Sequence, residues 1–364
     1  MKKGSKKVLC LVCILLLIFF VEKYVTISFE RNSIYKVDLP EQMRVAHYAN
    51  NSQKNLYKNL YVDTREVPSI GNDDVLVAVY SASFTERDFE FFKSDGNKGK
   101  NEFVPCSDFS GRVVAVGKNV KKYEIGDKVF GTVDVNNNDG ACAEYVKVPQ
   151  NNIGVIPYSL TFKQAASIPT PALLNWFAVH SIEKKGKKKG IVLIDDSMSE
   201  TGIMLTGLLV RNGFDVVAVD NKDVRNWAYS FGVKEFIDSD GFSQKKKEMS
   251  ERYDVVFNLR NGLPVSDLIG LVKKGGEFIS FEKVAEKRND IKIRVINYNL
   301  IDSNIFAKMA RLVHLGKLNI NIAREYNLEQ IKDAYMRAEK GNLDGKVVVN
   351  IKEDKKPLFS DLNI

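Results

Sequence analysis

The stretch Leu193–Leu205, "LIDDSMSETGIML", joins an apolar strand-like run to an apolar helix-like run and sets Asp195, Asp196, Ser197, Ser199 and Glu200 in the turn between them. A helix that follows a strand opens with unpaired N–H groups and the positive end of its dipole, which suits a phosphate or carboxylate ligand. Hydroxyls favour such a site and carboxylates oppose it. Ser197 and Glu200 stand at capping-box spacing, in which the serine oxygen and the glutamate satisfy the helix N–H groups internally. A cap is worth about 1 kcal/mol, and a carboxylate roughly 6 Å from a phosphate costs about 2–3 kcal/mol at an effective dielectric of about 20. Together they predict anion binding weakened by about two orders of magnitude. Against this, Asp220 closes the run "VVAVD" eighteen residues beyond Gly202, where an acid can hold ribose hydroxyls, and Arg225 follows. Asp220 would repel a 2′-phosphate, so the pair predicts a nucleotide without one.

The surrounding pattern supplies elements to hold these groups. From Met43 the chain reads as strands and turns: "DDVLVAVYSAS" alternates Val75, Val77 and Val79, and "GRVVAVGKNV" and "GDKVFGTV" are glycine-bounded β runs. After Pro169 apolar strands alternate with helices through "GIVLID", "TGIMLTGLLVRNG", "FDVVAVD", "VRNWAYSFGV", "YDVVFNL", "VSDLIGLVKKGG" and "EFISF". That alternation predicts parallel βαβ units, and the fully apolar strands predict a sheet covered on both faces. "NLEQIKDAYMRAEKGN" predicts an amphipathic helix opened by Asn327 and Gln330 in capping-box spacing, with Leu328, Ile331, Ala334, Tyr335 and Ala338 inward and Gly341 at its end. "GKVVVNI" reads as a closing strand and residues 353–364 as a polar tail.

Composition narrows the partners. With 364 residues, 44% hydrophobic content and 9 prolines, the chain is long and apolar enough to fold, as two domains or one large α/β unit. The net charge of +8 is concentrated in Lys2, Lys3, Lys6 and Lys7 and in Lys184, Lys185, Lys187, Lys188 and Lys189. No aromatic residues interleave with either cluster, which argues against nucleic acid. The second cluster reads as a solvated basic turn, with an anionic lipid surface as the alternative. Residues 8–21, "VLCLVCILLLIFFV", follow the lysine-rich head as a signal anchor or signal peptide would. A retained single-pass anchor over residues 1–29 is expected, in the secretory pathway or endoplasmic reticulum, with the mitochondrial outer membrane as the alternative. The acceptor pattern at Asn50 leaves orientation open. Cys10 and Cys13 lie in that apolar run, so only Cys106 and Cys142 remain for the folded part, too few for a disulfide framework. His47, His180 and His314 stand far apart, and no Cys/His cluster has zinc-ligand spacing.

Through "PCSDFSGRVVAVGKNVKKYEIGDKVFG", "GACAEYVKVP", "IPYSLTFKQAASIP" and "LVHLGKLNINIAREYNLEQIKDAYMRAEKGNLDGKVVVNI", the sequence resembles the medium-chain dehydrogenase/reductase superfamily, in its zinc-independent quinone-oxidoreductase-like branch. The resemblance runs from about Met43 to Ile351. It implies an α/β architecture: a GroES-like β-rich domain (40–159, rejoined by 297–352) and a doubly wound Rossmann cofactor domain (160–296), with the substrate cleft between them. It also leaves room for a homodimer.

Zinc-dependent members carry an early Cys and a Gly-His-Glu where this chain has residues Ser81 to Thr85 and Cys106-Ser107-Asp108. Cys106 therefore reads as a small buried thiol, and no metal is expected. The G-x-G-x-x-G frame reads Ser197-Met198-Ser199-Glu200-Thr201-Gly202, and only its last glycine, which serves close helix packing, is kept. Ser197, Ser199, Gly202, Asp220 and Arg225 are the cofactor-site candidates, with NAD(H) expected over NADP(H). Around the crevice Leu174-Asn175 stands where relatives often have Thr-Ala, Asn258 replaces a strand-end acid, and Glu282 stands where glycine is usual. The loop "YSASFTERDFEF" offers Thr85 and Asp88 as polar catalytic candidates and Phe84 and Phe89 as apolar lining. The resemblance implies reduction of a quinone, enal or similar activated carbonyl by a nicotinamide hydride. The self-capped acidic turn keeps a second reading open, a catalytically degenerate member serving as a membrane-tethered binding or trafficking component.

Overall fold

The computed structural model describes residues 39–49, 59–93, 102–134, 140–183, 190–259, 262–296, 303–341 and 345–353, and every count below is of these residues. The apolar segment 8–21, the basic turn 184–189, Asn50 and the polar tail beyond residue 353 lie outside them.

The first half is built from β1 (Gln42–Ala49), β2 (Leu60–Glu66), β3 (Asp74–Ser83), helix α1 (Glu86–Lys93), β4 (Glu102–Phe103), β5 (Asp108–Val116), β6 (Lys128–Thr132), β7 (Tyr145–Pro149) and β8 (Ile153–Val155). β2, β1 and β4 form a small antiparallel sheet. β3, β5, β6 and β8 form an antiparallel path to which β7 adds beside β3. Alternation in β3 does what its spacing predicts. Val75, Val77 and Val79 enter the main core of this half, while Leu76 and Ala78 turn to a satellite cluster with Val114. β5 approaches β3 so closely at Gly111 that a Cβ there would lie 2.0 Å from the Ala78 carbonyl oxygen, so only glycine fits.

The second half contains α2 (Phe162–Ala166), α3 (Pro169–Glu183), β9 (Ile191–Asp195), α4 (Glu200–Arg211), β10 (Asp215–Asp220), α5 (Arg225–Ser230), β11 (Glu235–Asp238), α6 (Phe242–Lys245), β12 (Tyr253–Asn258), α7 (Val265–Leu268), β13 (Val272–Ser280) and β14 (Lys292–Val295). Its six strands are all parallel, in the order β11-β10-β9-β12-β13-β14. Both faces of this sheet are dry, and successive residues divide between two cores. Val192, Ile194, Val216, Ala218, Val255 and Phe257 face one, and Leu193, Val217, Val219 and Val256 face the other. The strands read as unbroken apolar runs for that reason.

The chain then returns through α8 (Ser303–His314), β15 (Ile322–Asn327), α9 (Ile331–Glu339) and β16 (Lys346–Asn350). β16 pairs antiparallel with β3 and parallel with β15, which completes the first half's seven-stranded sheet. The Asn327–Gln330 capping box forms as its spacing predicts, around a short 3-10 turn that leads into α9. α8 joins the halves: Phe306 packs on Phe130 of β6 with ring centroids 5.7 Å apart, inside a core shared with Ile194 and Leu205. Truncating Phe306 to alanine opens a void in that shared core. The cost expected is about 3–5 kcal/mol, read as a lower urea midpoint with an unchanged denaturant slope.

Candidate active site in the crevice between the halves

The strand order reverses between β9 and β12, and a doubly wound sheet opens its crevice at the carboxyl ends of the strands flanking that point. Here Asp195 of β9 and Asn258 of β12 face each other in register. The turn after β9 is held tightly. The N–H groups of Asp196 and Ser197 both donate to the Val219 carbonyl at 3.1 and 3.3 Å, Met198 N–H donates to Asp220 Oδ2 at 2.8 Å, and Asp196 takes a left-handed backbone with φ of 61°.

The cap differs from the expected one. Ser199, not Ser197, caps α4: its Oγ accepts from Gly202 N–H at 3.2 Å and donates to the Asp196 carbonyl at 2.8 Å. Ser197 is fully buried beneath the turn, 3.5 Å from Asp220 Oδ2. Glu200 does not fold back over the amides. It leads α4 and turns its carboxylate to Lys346 of β16, 3.2 Å away. Ser199 N–H bonds the Asp196 carbonyl and Gly202 N–H bonds the cap, so the N–H groups of Glu200 and Thr201 are left over at the helix mouth. Gly202 is kept because a Cβ there would meet the Asp196 carbonyl oxygen at 2.4 Å. The close approach is to the turn itself.

A cleft of about 600 Å³ lies over this turn, lined by Ser199 and by the carboxylates Asp195, Asp196, Asp220, Asp223 and Asp240, among others. Asp220 Oδ1 accepts from Asn221 N–H at 2.8 Å, while its Oδ2 holds Met198, so the acid also serves to shape the turn. Arg225 does not face Asp220; its guanidinium sits over the Phe236 ring, 5.4 Å from the centroid. Burial pushes the Asp195 carboxyl up to about 7, against a 2.6 Å hydrogen bond from Leu263 N–H, and the nearby Asp220 adds to the rise. Burial likewise raises Asp196 well above the ordinary carboxylate range, with Asp220 and Asp195 contributing. Burial raises Asp220 more modestly, opposed by its N–H partners. The turn therefore carries less negative charge at neutral pH than its sequence suggests.

A second, narrower cavity of about 70 Å³ adjoins the helix mouth, lined by Phe84, Thr85 and Phe89 from one half and by Ser199, Glu200 and Thr201 from the other, among others. Behind Thr85, the buried Asp88 gathers polar hydrogens on one oxygen. Its Oδ2 accepts from the N–H groups of Thr85 and Ser107 at 2.7 and 3.2 Å, and both hydroxyls lie 3.1 Å from it and 3.0 Å from each other. Asp88 Oδ1 has no hydrogen-bond partner, and burial raises this carboxyl. Thr85 thus reaches the cavity, while Asp88 stands behind it. At the end of β12 Asn258 Nδ2 donates to Ser280 Oγ and Glu282 Oε1 at 3.1 and 2.9 Å, leaving its buried Oδ1 without a partner.

Sequence reasoning missed Lys346. Its Nζ donates to the Phe84 carbonyl at 2.7 Å and lies 3.5 Å from Asp108 Oδ2 and 3.2 Å from Glu200, with 1% of the side chain exposed. Burial lowers its affinity for the proton, but Glu200 and Asp108 outweigh that, so the ammonium is retained. The only signal was a lysine opening the valine run "KVVVN", which names no partner.

A family model described as "Alcohol dehydrogenase GroES-like domain" matches residues 71–158, and one described as "Zinc-binding dehydrogenase" matches residues 231–349. The chain is 27% identical over 330 residues to the mitochondrial NAD(P)H oxidoreductase RTN4IP1 of Dictyostelium discoideum, covering 79% of this chain and 93% of that protein. It is 24% identical to 2-methylene-furan-3-one reductase of Solanum lycopersicum, covering 86% of this chain and 80% of the relative. The quinone oxidoreductase of Coxiella burnetii superimposes with a TM-score of 0.76 at 23% identity, over 85% of this chain and all of that one. The chain belongs to the medium-chain dehydrogenase/reductase superfamily. Within it the relatives mark the quinone-oxidoreductase-like branch, and the GroES-like and Rossmann-type architecture is the one described above.

The zinc position of this superfamily does not fit a metal here. Cys106 is bonded to Cys142, which corrects the free-thiol expectation. The segments are laced by Ala141 N–H to the Cys106 carbonyl (2.7 Å) and Cys142 N–H to the Pro105 carbonyl (3.0 Å), which brings the two Cα atoms to 5.4 Å. Asp108 is taken by Thr170, whose N–H and hydroxyl donate at 3.0 and 2.7 Å, and has the Lys346 ammonium beside it. Among the described residues no group of three or more His, Cys, Asp and Glu side chains could hold a metal ion.

The expected membrane placement is corrected. Among the described residues no helix is long and apolar enough to cross a membrane, and the Dictyostelium relative is named as mitochondrial, not as a protein of the secretory pathway. The segment 8–21, on which the anchor reading stood, lies outside the described residues.

The raised carboxyls give a signed pH dependence. Asp195 holds its proton up to about 7 in the fold, whereas an unfolded Asp releases it near about 3.9. The folded state binds the extra proton across that window, so stability falls as pH rises through it. A thermal midpoint several degrees lower at pH ~8 than at pH ~5 is expected, with a shallower slope in Asp195→Asn.

Proposed function

We propose that the chain is an NAD(P)H-dependent oxidoreductase of the quinone-reductase type, reducing a quinone or another activated carbonyl. In this reading residues 160–296 hold the cofactor, and residues 40–159 with 297–352 form the substrate side. The observation that carries it is the direction of Glu200. Its carboxylate leaves the mouth of α4 for Lys346, so two N–H groups face the crevice where the fold receives a diphosphate. The relatives named above, two of them reductases of quinones or enones, support it. The alternative of a degenerate, tethered binding component rested on the acidic, self-capped turn and the altered crevice; the turn is capped by Ser199 and Glu200 is directed to Lys346, which favours the oxidoreductase reading over it.

The residues present fit a nicotinamide dinucleotide. The cleft of about 600 Å³ has room for the adenosine end, Asp220 stands where ribose hydroxyls bind, and Asn258 Oδ1 is a buried acceptor without a donor. When bound, the cofactor supplies the hydride. Asp220, Asp223 and Asp240 line the adenosine end, so NADH is preferred over NADPH, whose 2′-phosphate would meet carboxylates. On the substrate side, Phe84 and Phe89 exclude water from one wall and Thr85 Oγ1 presents a hydroxyl to the substrate oxygen. Asp88 orients that hydroxyl together with Ser107 Oγ.

Millimolar NADH is expected to raise the melting temperature and to bind at least about tenfold tighter than NADPH. If neither cofactor shifts the melting curve, the reading is lost. Asp196→Gly relieves a left-handed backbone and should raise the melting temperature. Thr85→Val should lower kcat by about 10²-fold while the NADH Kd stays near its native value, as stopped-flow and fluorescence titration would read.

A further inference from the structure

We propose that Lys346 is a positioning residue for the anion-binding turn: it draws the Glu200 carboxylate onto the β-rich half and so keeps the mouth of α4 open to a diphosphate. This rests on the reading of the crevice as a dinucleotide site. Glu200 is the first residue of α4, next to the N–H groups of itself and Thr201 that the Ser199 cap leaves over. A first-turn carboxylate is favoured close to such N–H groups by the helix dipole. Left alone, it would settle at the mouth and compete with a phosphate for the same donors.

Lys346 offers it a stronger partner from outside the helix. The ammonium is fixed before it meets Glu200, because Nζ donates to the Phe84 carbonyl at 2.7 Å and lies 3.5 Å from Asp108, itself clamped by Thr170. The Phe84 carbonyl accepts one N–H of the ammonium, and the carboxylates of Asp108 and Glu200 flank it at 3.5 and 3.2 Å. The lysine side chain is 1% exposed and the glutamate 23%, so the pair is largely withdrawn from water. Glu86, which lines the same narrow cavity, is a further carboxylate close to Glu200 and Asp196. The charge opposing a diphosphate is thereby tied to its counter-ion across the cleft.

Two substitutions at one position separate this role from a merely structural one, and both leave the buried Lys346–Asp108 contact intact. Glu200→Asp keeps the charge but is too short to reach Lys346, so its carboxylate stays at the mouth. NADH Kd should weaken roughly 30- to 100-fold. Glu200→Gln removes the charge, and binding should equal or exceed that of the native protein. In Lys346→Met the loss should follow Glu200→Asp, and Lys346→Met/Glu200→Gln should recover it, which a folding defect alone would not allow. Inorganic pyrophosphate, titrated calorimetrically against the full chain, gives the same ranking without the nicotinamide. Equal NADH binding by Glu200→Asp and Glu200→Gln overturns the proposal and leaves the oxidoreductase reading standing. Pyrophosphate that follows the ranking while NADH binds nowhere supports the positioning role and removes that reading. No binding of either probe to any variant overturns both.

Discussion

The arrangement of the crevice depends on one buried ammonium. Lys346 lies at the start of the last strand, enclosed by a backbone carbonyl from the loop after β3, a carboxylate from β5 and a carboxylate from the first turn of α4. A charge withdrawn from water is tolerable only when its partners are close and well oriented, and removing one of them leaves the others stranded. Here the partners come from both halves of the molecule. The contact therefore fixes how the parallel sheet's first helix faces the β-rich half, as well as neutralising two acids.

Around that contact the two sheets divide the work. The parallel sheet brings Asp195, Asn258 and Asp220 to the carboxyl ends of neighbouring strands, and the antiparallel sheet brings Thr85 to the opposing wall with Ser107 and Asp108 buried behind it. Burial then changes the chemistry of the acids. Burial pushes Asp195 up to about 7 and raises Asp196 well above the ordinary carboxylate range, while Asp88 is held by two amides and two hydroxyls on one oxygen. A turn that looks hostile to anions as a string of letters is milder once desolvation and the Glu200–Lys346 pair are included.

Much of the framework was legible from local pattern. Period-two valines fixed the inward face of β3, unbroken apolar runs marked strands covered on both sides, and Asn327 with Gln330 announced the start of a helix. The site was less legible, for physical reasons. Ser197 and Ser199 both precede the helix, and the choice of cap depends on where the backbone leaves β9, with Asp196 in a left-handed conformation. The direction of Glu200 is set by a lysine on the final strand. The Cys106–Cys142 bond joins residues 36 apart that only the folding of two loops brings together. Arg225 sits beside Asp220 in sequence, yet an aromatic face at Phe236 offered its guanidinium a better resting place than the crevice did.

The parallel sheet's strands act as partition walls. Because Val192 and Ile194 look to one side and Leu193 to the other, repacking on either side of β9 is confined by the wall to that side. The loop that follows Asp195 sends Met198 into one interior and buries Ser197 beneath the turn, while Ser199 and Glu200 stand at the rim, so the scaffold and the site meet within four residues.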